Sequence, residues 1–195
     1  MLPNLNAKMR LPYATGSVRV TSPFGKRMLN GVETNHKGLD LVGSNKTLVA
    51  PCDGVIGASG IVTNKADRTW EWGNFVRIDT NDGLMIFMCH MSERKVKVGD
   101  KVKAGDVVGI EGATGYAFGS HCHFEIRNSS GISLNPAAYL GVKNGDGSYG
   151  VPKEASKSYA DLVCEKCGLE TQTRTYIDKY KYADALWKKL WEAMK

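Results

Sequence analysis

The segment Gly119-Ser-His-Cys-His-Phe-Glu-Ile-Arg127 carries the strongest structural signal in the chain. From His121 onward, polar and apolar side chains alternate, which predicts a β-strand with one buried and one open face. Residues i and i+2 of a strand point to the same face, so His121 and His123 can both enter one cavity, with Glu125 further along. Cys122 then faces the other side and is predicted to be a small core residue. Strand geometry alone offers the two histidines equally as ligands or as catalytic groups.

Similar short runs extend outward from this segment in the N-terminal direction. They predict strands at residues 17–21, 48–51, 53–56, 74–78 and 84–88, in a chain whose 22 glycines suit tight turns. Asn81-Asp-Gly83, between the last two runs, indicates a hairpin, because Asn-Gly and Asp-Gly tolerate the positive φ angles of such turns. Cys89, just after the last run, is predicted to be buried. These runs predict a mainly antiparallel β fold with a sheet or barrel-like core.

The totals narrow the class of protein. A chain of 195 residues suits one compact domain with a small appendage. The net charge of +6 favours polyanionic surroundings, and nucleic acid and an anionic cell wall both qualify. The N-terminal sequence shows no secretory signal, and no run approaches the roughly 18 apolar residues of a membrane span, so stable membrane insertion is not expected. Five cysteines, an odd number, suit a reducing cytoplasm better than a disulfide framework.

The composition changes after residue 140, which suggests three parts. Residues 1–140 are predicted to form the β domain. Residues 141–152 are rich in Gly, Asn, Asp and Ser and are predicted to be a linker. Residues 153–195 form a C-terminal extension of different character, which we expect to be partly helical.

Within the extension, residues 182–195 are predicted to form a helix, because apolar residues such as Leu186 and Leu190 recur at helical spacing. We expect the helix to pack against the β domain or a partner subunit, which would allow self-association. A wall-binding or membrane-surface role for its tryptophans and lysines is the alternative. Cys164 and Cys167 resemble half of a zinc knuckle, but a structural zinc site needs four ligands, so free thiols are expected.

The four histidines, His36, His90, His121 and His123, are the main candidates for chemistry, and Asp40 lies four residues after the first. Zinc favours nitrogen and oxygen ligands, and a catalytic site typically supplies three of them and leaves the fourth position to water. Two histidines and a carboxylate would meet that need, and such a site lowers the pKa of water from about 15.7 to about 7. His-x-x-x-Asp and His-x-His are common patterns by chance, so the flanking sequence has to decide.

The flanking sequence contains three distinctive blocks. The first block is Ser22-Pro-Phe-Gly-Lys-Arg27 followed by His36-Lys-Gly-Leu-Asp40. The second block is Trp72-Gly-Asn-Phe-Val-Arg-Ile78 and Asp82-Gly-Leu-Met-Ile-Phe-Met-Cys-His-Met-Ser92. The third block comprises Val98-Gly-Asp-Lys-Val102, residues 105–115 and Gly119-Ser-His-Cys-His-Phe-Glu-Ile-Arg127. In the correct order and over roughly residues 16–140, these blocks resemble the lysostaphin-type (LytM-like) zinc endopeptidases, and the second resembles the central hairpin of that family.

The resemblance implies zinc as the cofactor, bound by His36, Asp40 and His123. It also implies that His90 and His121 are active-site histidines that do not bind the metal. One of them would accept a proton from the attacking water and the other would hydrogen-bond the oxyanion. The sequence does not say which histidine has which role. The resemblance further implies a lysostaphin/LytM-type fold and bacterial peptidoglycan, rather than nucleic acid, as the partner.

Three alternatives bear on this interpretation. A non-catalytic peptidoglycan-binding or activator domain of the same fold would have lost zinc ligands, whereas all five polar positions are present here. Residues 98–108 resemble the first hairpin of biotinyl or lipoyl carriers, but Glu111-Gly-Ala-Thr-Gly115 lacks the lysine that a carrier needs. Glu125 would either orient a ligand histidine or form a salt bridge away from the site.

The predicted activity is hydrolysis of a peptide bond in peptidoglycan stem or cross-bridge peptides. A lytic enzyme without a visible signal peptide is expected to be a phage endolysin released from the host cytoplasm through a holin, or a lysin of the virion tail. A bacterial wall-remodelling enzyme is also compatible with the sequence. In each case the expected place of action is the cell wall.

Overall fold

The computed structural model describes residues 9–29, 31–66 and 70–151, and six helical positions of the C-terminal extension: Cys167, Leu186, Lys189, Leu190, Glu192 and Ala193. The chain divides into two compact units, Met1–Val151 and Pro152–Lys195. The first unit is built of strands paired antiparallel, which confirms the predicted mainly β fold.

The elements of the first unit are short and follow one another closely along the chain. In order they are β1 (Ser17–Ser22), β2 (Gly25–Leu29), β3 (Val32–His36), β4 (Leu39–Gly43), β5 (Thr47–Val49), β6 (Gly54–Ile61), a 3-10 turn (Trp70–Trp72), β7 (Asn74–Asp79), β8 (Met85–Met91), β9 (Glu93–Arg94), β10 (Lys101–Val102), β11 (Val107–Ile110), β12 (Cys122–Arg127), β13 (Ser133–Leu134), α1 (Pro136–Leu140) and β14 (Gly147–Gly150).

The largest sheet has the strand order β10-β6-β7-β8-β12-β4-β1-β14, and β13 also pairs with β12. Its path ends at β10 and β14, so the sheet is open over the described strands. A three-stranded sheet, β5-β11-β9, and the two-stranded hairpin β2-β3 complete the unit. The hairpin matters for the site because β3 ends at His36.

The central strands β1, β4 and β12 place alternate side chains in the core. Leu39 and Leu41 of β4 and Phe124 and Ile126 of β12 are fully buried, as is the predicted core residue Cys122. Burial of such side chains stabilises the fold by about 1.5–3 kcal/mol each for the large aliphatic and aromatic ones. Because the side chains of a strand alternate, the residues between these core positions all face the opposite side of the sheet.

The predicted hairpin at residues 81–83 is confirmed. β7 and β8 pair antiparallel, with Asp79 opposite Met85, and Gly83 has a φ of 82° in the turn between them. A positive φ is readily adopted only by glycine and a few short polar residues, so the turn needs its glycine. Cys89, near the end of β8, is fully buried as predicted.

Two local predictions differ from the structure. The strand predicted to begin at His121 begins at Cys122, and His121 forms an isolated bridge with Gly112 instead. The predicted linker contains β14, whose Tyr149 is buried and pairs with Val18 of β1. The glycine- and serine-rich segment therefore contains an edge strand, which pairs with β1 and buries Tyr149.

The described positions of the extension agree with the predicted helix over residues 182–195, since Leu186, Leu190 and their described neighbours are all helical. Cys167 is exposed, whereas Cys164 lies outside the described residues. None of the described helices combines the length and the apolar character needed to cross a bilayer. Packing or self-association of the extension stays a prediction.

Candidate metal and active site

A cleft of about 640 Å³ lies over the open face of the main sheet. It receives side chains from the β2-β3 hairpin, from β4 and β12, and from the loop between β11 and β12. All four histidines and Asp40 line it, together with Thr21, Ser22, Arg27, Thr34, Asn35, Lys37, Val42, Glu71, Trp72, Tyr116, Phe118, Gly119, Ser120 and Glu125. The residues selected from the sequence are therefore brought to one place.

Strand register places Asp40 directly beside His123. The two residues are paired across β4 and β12, and both alternate with core residues, so their side chains project from the same face. Oδ1 of Asp40 lies 3.0 Å from Nδ1 of His123. The pairing between neighbouring central strands thus holds both groups on a rigid part of the fold.

His36 completes a three-residue cluster from the end of β3. Its Nε2 lies 3.1 Å from Oδ1 of Asp40 and 3.0 Å from Nδ1 of His123. Ligand atoms at about 2.0–2.1 Å from a tetrahedral zinc ion are about 3.3 Å apart. The three atoms are within a few tenths of an ångström of that spacing, so two nitrogens and one oxygen fit the donor set and size of a zinc site.

In His36 and His123, the ring nitrogen that faces away from the cluster, here called the outer nitrogen, has different surroundings. Nδ1 of His36 lies 2.7 Å from the carbonyl oxygen of Pro23, to which it donates, so the lone pair of the neutral ring is on Nε2 and faces the cluster. Nε2 of His123 lies 3.8 Å from a carboxylate oxygen of Glu125. A proton on this outer nitrogen would leave Nδ1 of His123 as a ligand atom.

The electrostatics of the cluster favour a charged Asp40. Burial raises the pKa of Asp40, but the adjacent imidazoles of His123 and His36 outweigh burial and hold it well below its ordinary value. Burial lowers the pKa of His123, but its hydrogen bond to Asp40 and the charges of Asp40 and Glu125 raise it to about 9. A cation is therefore favoured among these groups, and a metal ion would replace the proton on His123.

Gly38 forms the floor under the ring of His123. A Cβ atom at this position would lie 2.5 Å from the carbonyl oxygen of Phe124 and 2.9 Å from Cε1 of His123. Because real Cβ contacts are not this short, only glycine leaves room for the ring in its present place. The glycine between His36 and Asp40 in the sequence thus has a steric function in the cluster.

His90 is the only residue other than glycine with a positive φ in the described part of the chain, at 66°. Its Nδ1 donates to the carbonyl oxygen of Thr114 at 2.9 Å, which leaves Nε2 as the acceptor nitrogen. Burial, together with the nearby His121, lowers the pKa of His90 to about 4, so the ring is neutral near pH 7. A neutral imidazole held by a carbonyl suits a base that accepts a proton on Nε2.

His121 lies between His90 and the three-residue cluster. Its ring centroid is 4.5 Å from that of His90, and its Nε2 is 3.6 Å from Oδ1 of Asp40. Nδ1 of His121 donates to the carbonyl oxygen of Gly119 at 2.8 Å, which again leaves Nε2 as the acceptor. The two histidines therefore carry free lone pairs on the side of the cluster where a reacting group would bind.

Both alternatives for Glu125 have some support in the structure. Its carboxylate is buried and accepts hydrogen bonds from Arg127 at 2.8 Å and from Ser133 at 2.7 Å. It also lies near the outer nitrogen of His123, at 3.8 Å, which is longer than a hydrogen bond. Burial raises the pKa of Glu125, but the hydrogen bonds lower it to about 2, so it is charged beside His123.

Two charged residues beside the site have no role that the sequence predicts. Arg27 lies 3.0 Å from Oδ2 of Asp40. Glu111 is buried behind the cleft and accepts hydrogen bonds from Tyr13 at 2.6 Å and from Ser120 at 2.7 Å. Its position directly after the apolar run of β11 could have indicated that Glu111 is buried. Its hydrogen-bond partner Tyr13 is distant in sequence and could not be predicted in this way.

The sequence is similar to those of known peptidases. The model of Peptidase family M23 matches residues 34–136, more than half of the chain. The chain is 39% identical over 105 residues to the glycyl-glycine endopeptidase ALE-1 of Staphylococcus capitis, with 53% of this chain and 27% of that protein covered. It is 35% identical over 123 residues to the DD-carboxypeptidase/endopeptidase Mpg of Neisseria meningitidis serogroup B, with 62% and 26% covered.

A similar fold occurs in a solved structure, a mutant of the catalytic domain of the prophage-encoded M23 protein EnpA from Enterococcus faecalis. The TM-score is 0.52 at 29% identity, with 71% of this chain and 96% of that chain covered. The present chain spans only about a quarter of the length of the curated relatives it matches. The family match nevertheless includes the whole three-residue cluster and both remaining histidines, and on this basis the chain belongs to Peptidase family M23.

Proposed function

We propose that this protein is a zinc-dependent endopeptidase that hydrolyses peptide bonds in bacterial peptidoglycan. The observation that carries the proposal is the convergence of His36, Asp40 and His123, whose ligand atoms lie 3.0–3.1 Å apart, beside two further histidines. Three protein ligands leave a fourth position open, as in catalytic rather than structural zinc sites. Zinc held there would act as a Lewis acid on the scissile carbonyl and would increase the acidity of the attacking water.

The protein groups have separate tasks in this proposal. His90 and His121 both present Nε2 as an acceptor, because Nδ1 of each ring donates to a backbone carbonyl. One ring removes a proton from the attacking water and later passes that proton to the leaving amine. The other ring takes up a proton from solvent on Nε2 and donates a hydrogen bond to the developing oxyanion. No side chain in this arrangement needs to form a covalent intermediate.

The substrate class is supported by the relatives rather than by the geometry. One relative is named as a glycyl-glycine endopeptidase and the other as a DD-carboxypeptidase/endopeptidase. These names point to different peptide bonds, so a glycine cross-bridge and a stem-peptide link both remain candidates. The open cleft around the cluster has a volume of about 640 Å³, which is in the usual range for ligand-binding clefts.

The proposed place of action is the cell wall. The EnpA protein, which shares the fold, is described as prophage-encoded, which supports a phage endolysin or a virion-borne lysin as the setting. A bacterial enzyme of wall remodelling is equally consistent with the bacterial relatives. The net charge of +6 is compatible with an anionic wall in either setting.

The test is digestion of purified sacculi by the zinc-loaded full chain, with fragments identified by mass spectrometry. Sacculi with glycine cross-bridges and sacculi with direct stem-peptide links are compared. We expect new peptide termini from at least one wall type, no release by His123→Ala, and normal release by the surface variant Lys26→Gln. A wild-type chain that binds zinc but releases nothing from any wall would instead be a non-catalytic binding domain.

A further inference from the structure

The two carboxylate oxygens of Asp40 have different partners. Oδ1 lies 3.0 Å from Nδ1 of His123 and 3.1 Å from Nε2 of His36, at the centre of the proposed metal site. Oδ2 points away from the cluster and accepts a hydrogen bond from Nη1 of Arg27 at 3.0 Å. A carboxylate that is free to rotate can offer a metal either oxygen or both. This one is held so that a single oxygen faces the two histidines.

Arg27 is well placed to hold the carboxylate still. It lies on β2 opposite Thr34, in the hairpin whose second strand ends at His36. Its side chain is 23% exposed, and the same Nη1 also contacts the hydroxyl of Ser22. A mostly buried guanidinium with fixed donors loses little additional freedom when it binds a carboxylate, unlike a flexible surface cation.

The neighbouring cation provides an internal comparison. Lys26 precedes Arg27 on the same strand, but it points away from the cleft and pairs with Glu33 at 3.0 Å. Its side chain is 79% exposed and that of Glu33 is 63% exposed. Such an exposed pair contributes little, whereas the Arg27–Asp40 pair is shielded from solvent. Two adjacent basic residues of one hairpin therefore have different expected functions.

We propose that Arg27 is a positioning residue of the metal site, which fixes Asp40 as a ligand through one oxygen and so increases the affinity for zinc. The inference rests on the proposed zinc site but adds a residue to it that does not touch the metal. Outer groups of this kind typically change metal affinity by about 10–100-fold when they are removed. The hairpin then supplies two components of the site, the ligand His36 and the group that holds Asp40.

A competing effect has the opposite sign. Arg27 is a cation close to a site for a dication, and Coulomb repulsion alone would weaken zinc binding. If repulsion were the larger effect, removal of the guanidinium would strengthen binding. If positioning is the larger effect, removal weakens it. The direction of the change in zinc affinity therefore decides between the two accounts.

The experiment measures the zinc dissociation constant of the full chain by competition with a chromophoric chelator, for the wild type, Arg27→Gln, Arg27→Lys and the matched control Lys26→Gln. We expect Arg27→Gln to bind zinc about 10–100-fold more weakly. Arg27→Lys should be intermediate, because an ammonium keeps the charge but lacks the rigid, planar guanidinium that fixes the direction of the donor, and Lys26→Gln should match the wild type. Circular dichroism and thermal unfolding without metal show which variants are folded.

If Arg27→Gln does not fold, Arg27→Lys decides the question in combination with cobalt substitution. A carboxylate that becomes bidentate raises the coordination number, and the visible absorption of bound Co²⁺ falls. Unchanged or tighter zinc binding in the folded variants would overturn the role of Arg27, whatever the cobalt spectrum shows. A wild-type chain that binds no zinc would instead overturn the proposed function, so the two failures are distinguishable.

Discussion

Asp40 and His123 are paired residues of adjacent antiparallel strands, and Oδ1 of the first lies 3.0 Å from Nδ1 of the second. The contact joins residues 83 positions apart in sequence. Because the register of β4 against β12 is held by buried neighbours such as Leu41 and Cys122, the position of the two polar groups follows from core packing. The preformed cluster is thus a consequence of how the sheet assembles.

The first prediction separates metal binding from proton transfer. His123→Ala removes a ligand atom from the cluster, so we expect loss of both stoichiometric zinc and wall hydrolysis. His121→Ala leaves His36, Asp40 and His123 in place, so we expect zinc to be retained while the turnover number falls by about 100-fold or more. Metal content by atomic emission and turnover on solubilised peptidoglycan provide the two readouts. Loss of zinc in His121→Ala and its retention in His123→Ala would reverse the two assignments.

The second prediction concerns the floor of the cluster. In Gly38→Ala the new methyl group would meet the carbonyl oxygen of Phe124 at 2.5 Å and the ring of His123 at 2.9 Å. Strand β12 is central and cannot move easily, so both the backbone at residue 38 and the ring of His123 have to shift. We expect a loss of about 1–3 kcal/mol in unfolding free energy and weaker zinc binding.

Gly150→Ala is the matched control, since a Cβ atom there has no neighbour within 4 Å. Urea unfolding and chelator competition are measured for both variants. Equal behaviour of the two variants would mean that the space under His123 is not restricted, contrary to the geometry of the cluster.

Much of the fold could be predicted from local sequence patterns. Alternation identified β12 and the buried face of Cys122, and residues 81–83 identified the β7-β8 turn. Both signals lie within a few residues and depend on side-chain periodicity or on the φ angles that a turn requires. β14 could not be found in this way, because Tyr149 becomes a core residue only when its strand pairs with β1.

The candidate site could be predicted only in part, because its contacts also depend on the pairing of distant segments. Alternation places His121 and His123 on one face but does not say which of them meets Asp40, because that depends on strand register. The partners of Asp40 and Glu111 are likewise set by packing between distant segments. Tyr13 and Glu111, for example, are 98 positions apart. Sequence patterns identify the chemical groups, whereas strand pairing and packing determine which of these groups contact one another.

The third prediction concerns the residue that holds His90. The Thr114 carbonyl accepts Nδ1–H of His90, and its hydroxyl donates to the Met91 carbonyl at 2.8 Å and accepts the Asn74 N–H at 2.9 Å. Thr114→Val keeps the shape but leaves both backbone groups without this partner, which costs about 1–3 kcal/mol. We expect a lower turnover number, because the backbone segment whose carbonyl holds His90 loses these two hydrogen bonds. Zinc affinity should not change, since Thr114 contacts none of the three proposed ligands.

Thr80→Val is the control for a lost threonine hydroxyl that also hydrogen-bonds the backbone of the β7-β8 hairpin. The Thr80 hydroxyl accepts the Leu84 N–H at 2.9 Å in the β7-β8 turn, outside the cleft lining. We expect this variant to lose stability but to keep its turnover number at temperatures where it is folded. If both variants lost turnover in proportion to stability, Thr114 would have a structural function only.

The last prediction concerns Glu111 and the pH dependence of stability. Its two oxygens accept hydrogen bonds from Lys46 at 2.5 Å, Ser120 at 2.7 Å, Tyr13 at 2.6 Å and the Gly43 N–H at 3.0 Å. Burial raises the pKa of Glu111, but these hydrogen bonds outweigh burial and lower it below the ordinary value of 4.5. The network connects the end of β4 with the loop that carries His121.

A carboxyl group whose pKa is lower in the folded state stabilises the fold fully above its unfolded pKa, and this contribution is lost as the pH falls through the folded pKa. We therefore expect Glu111→Gln to be less stable than the wild type at pH 7, by about 1–3 kcal/mol, because an amide cannot accept at both positions. The difference should shrink as the pH falls below about 4.5, because the carboxyl of the unfolded chain then takes up a proton while that of the folded chain is still charged. Urea unfolding at several pH values between 7 and 3 measures it, with the exposed Glu33→Gln as the control. A difference that stayed constant over this range would show that the charge of Glu111 does not stabilise the loop, and that only the shape of its side chain matters.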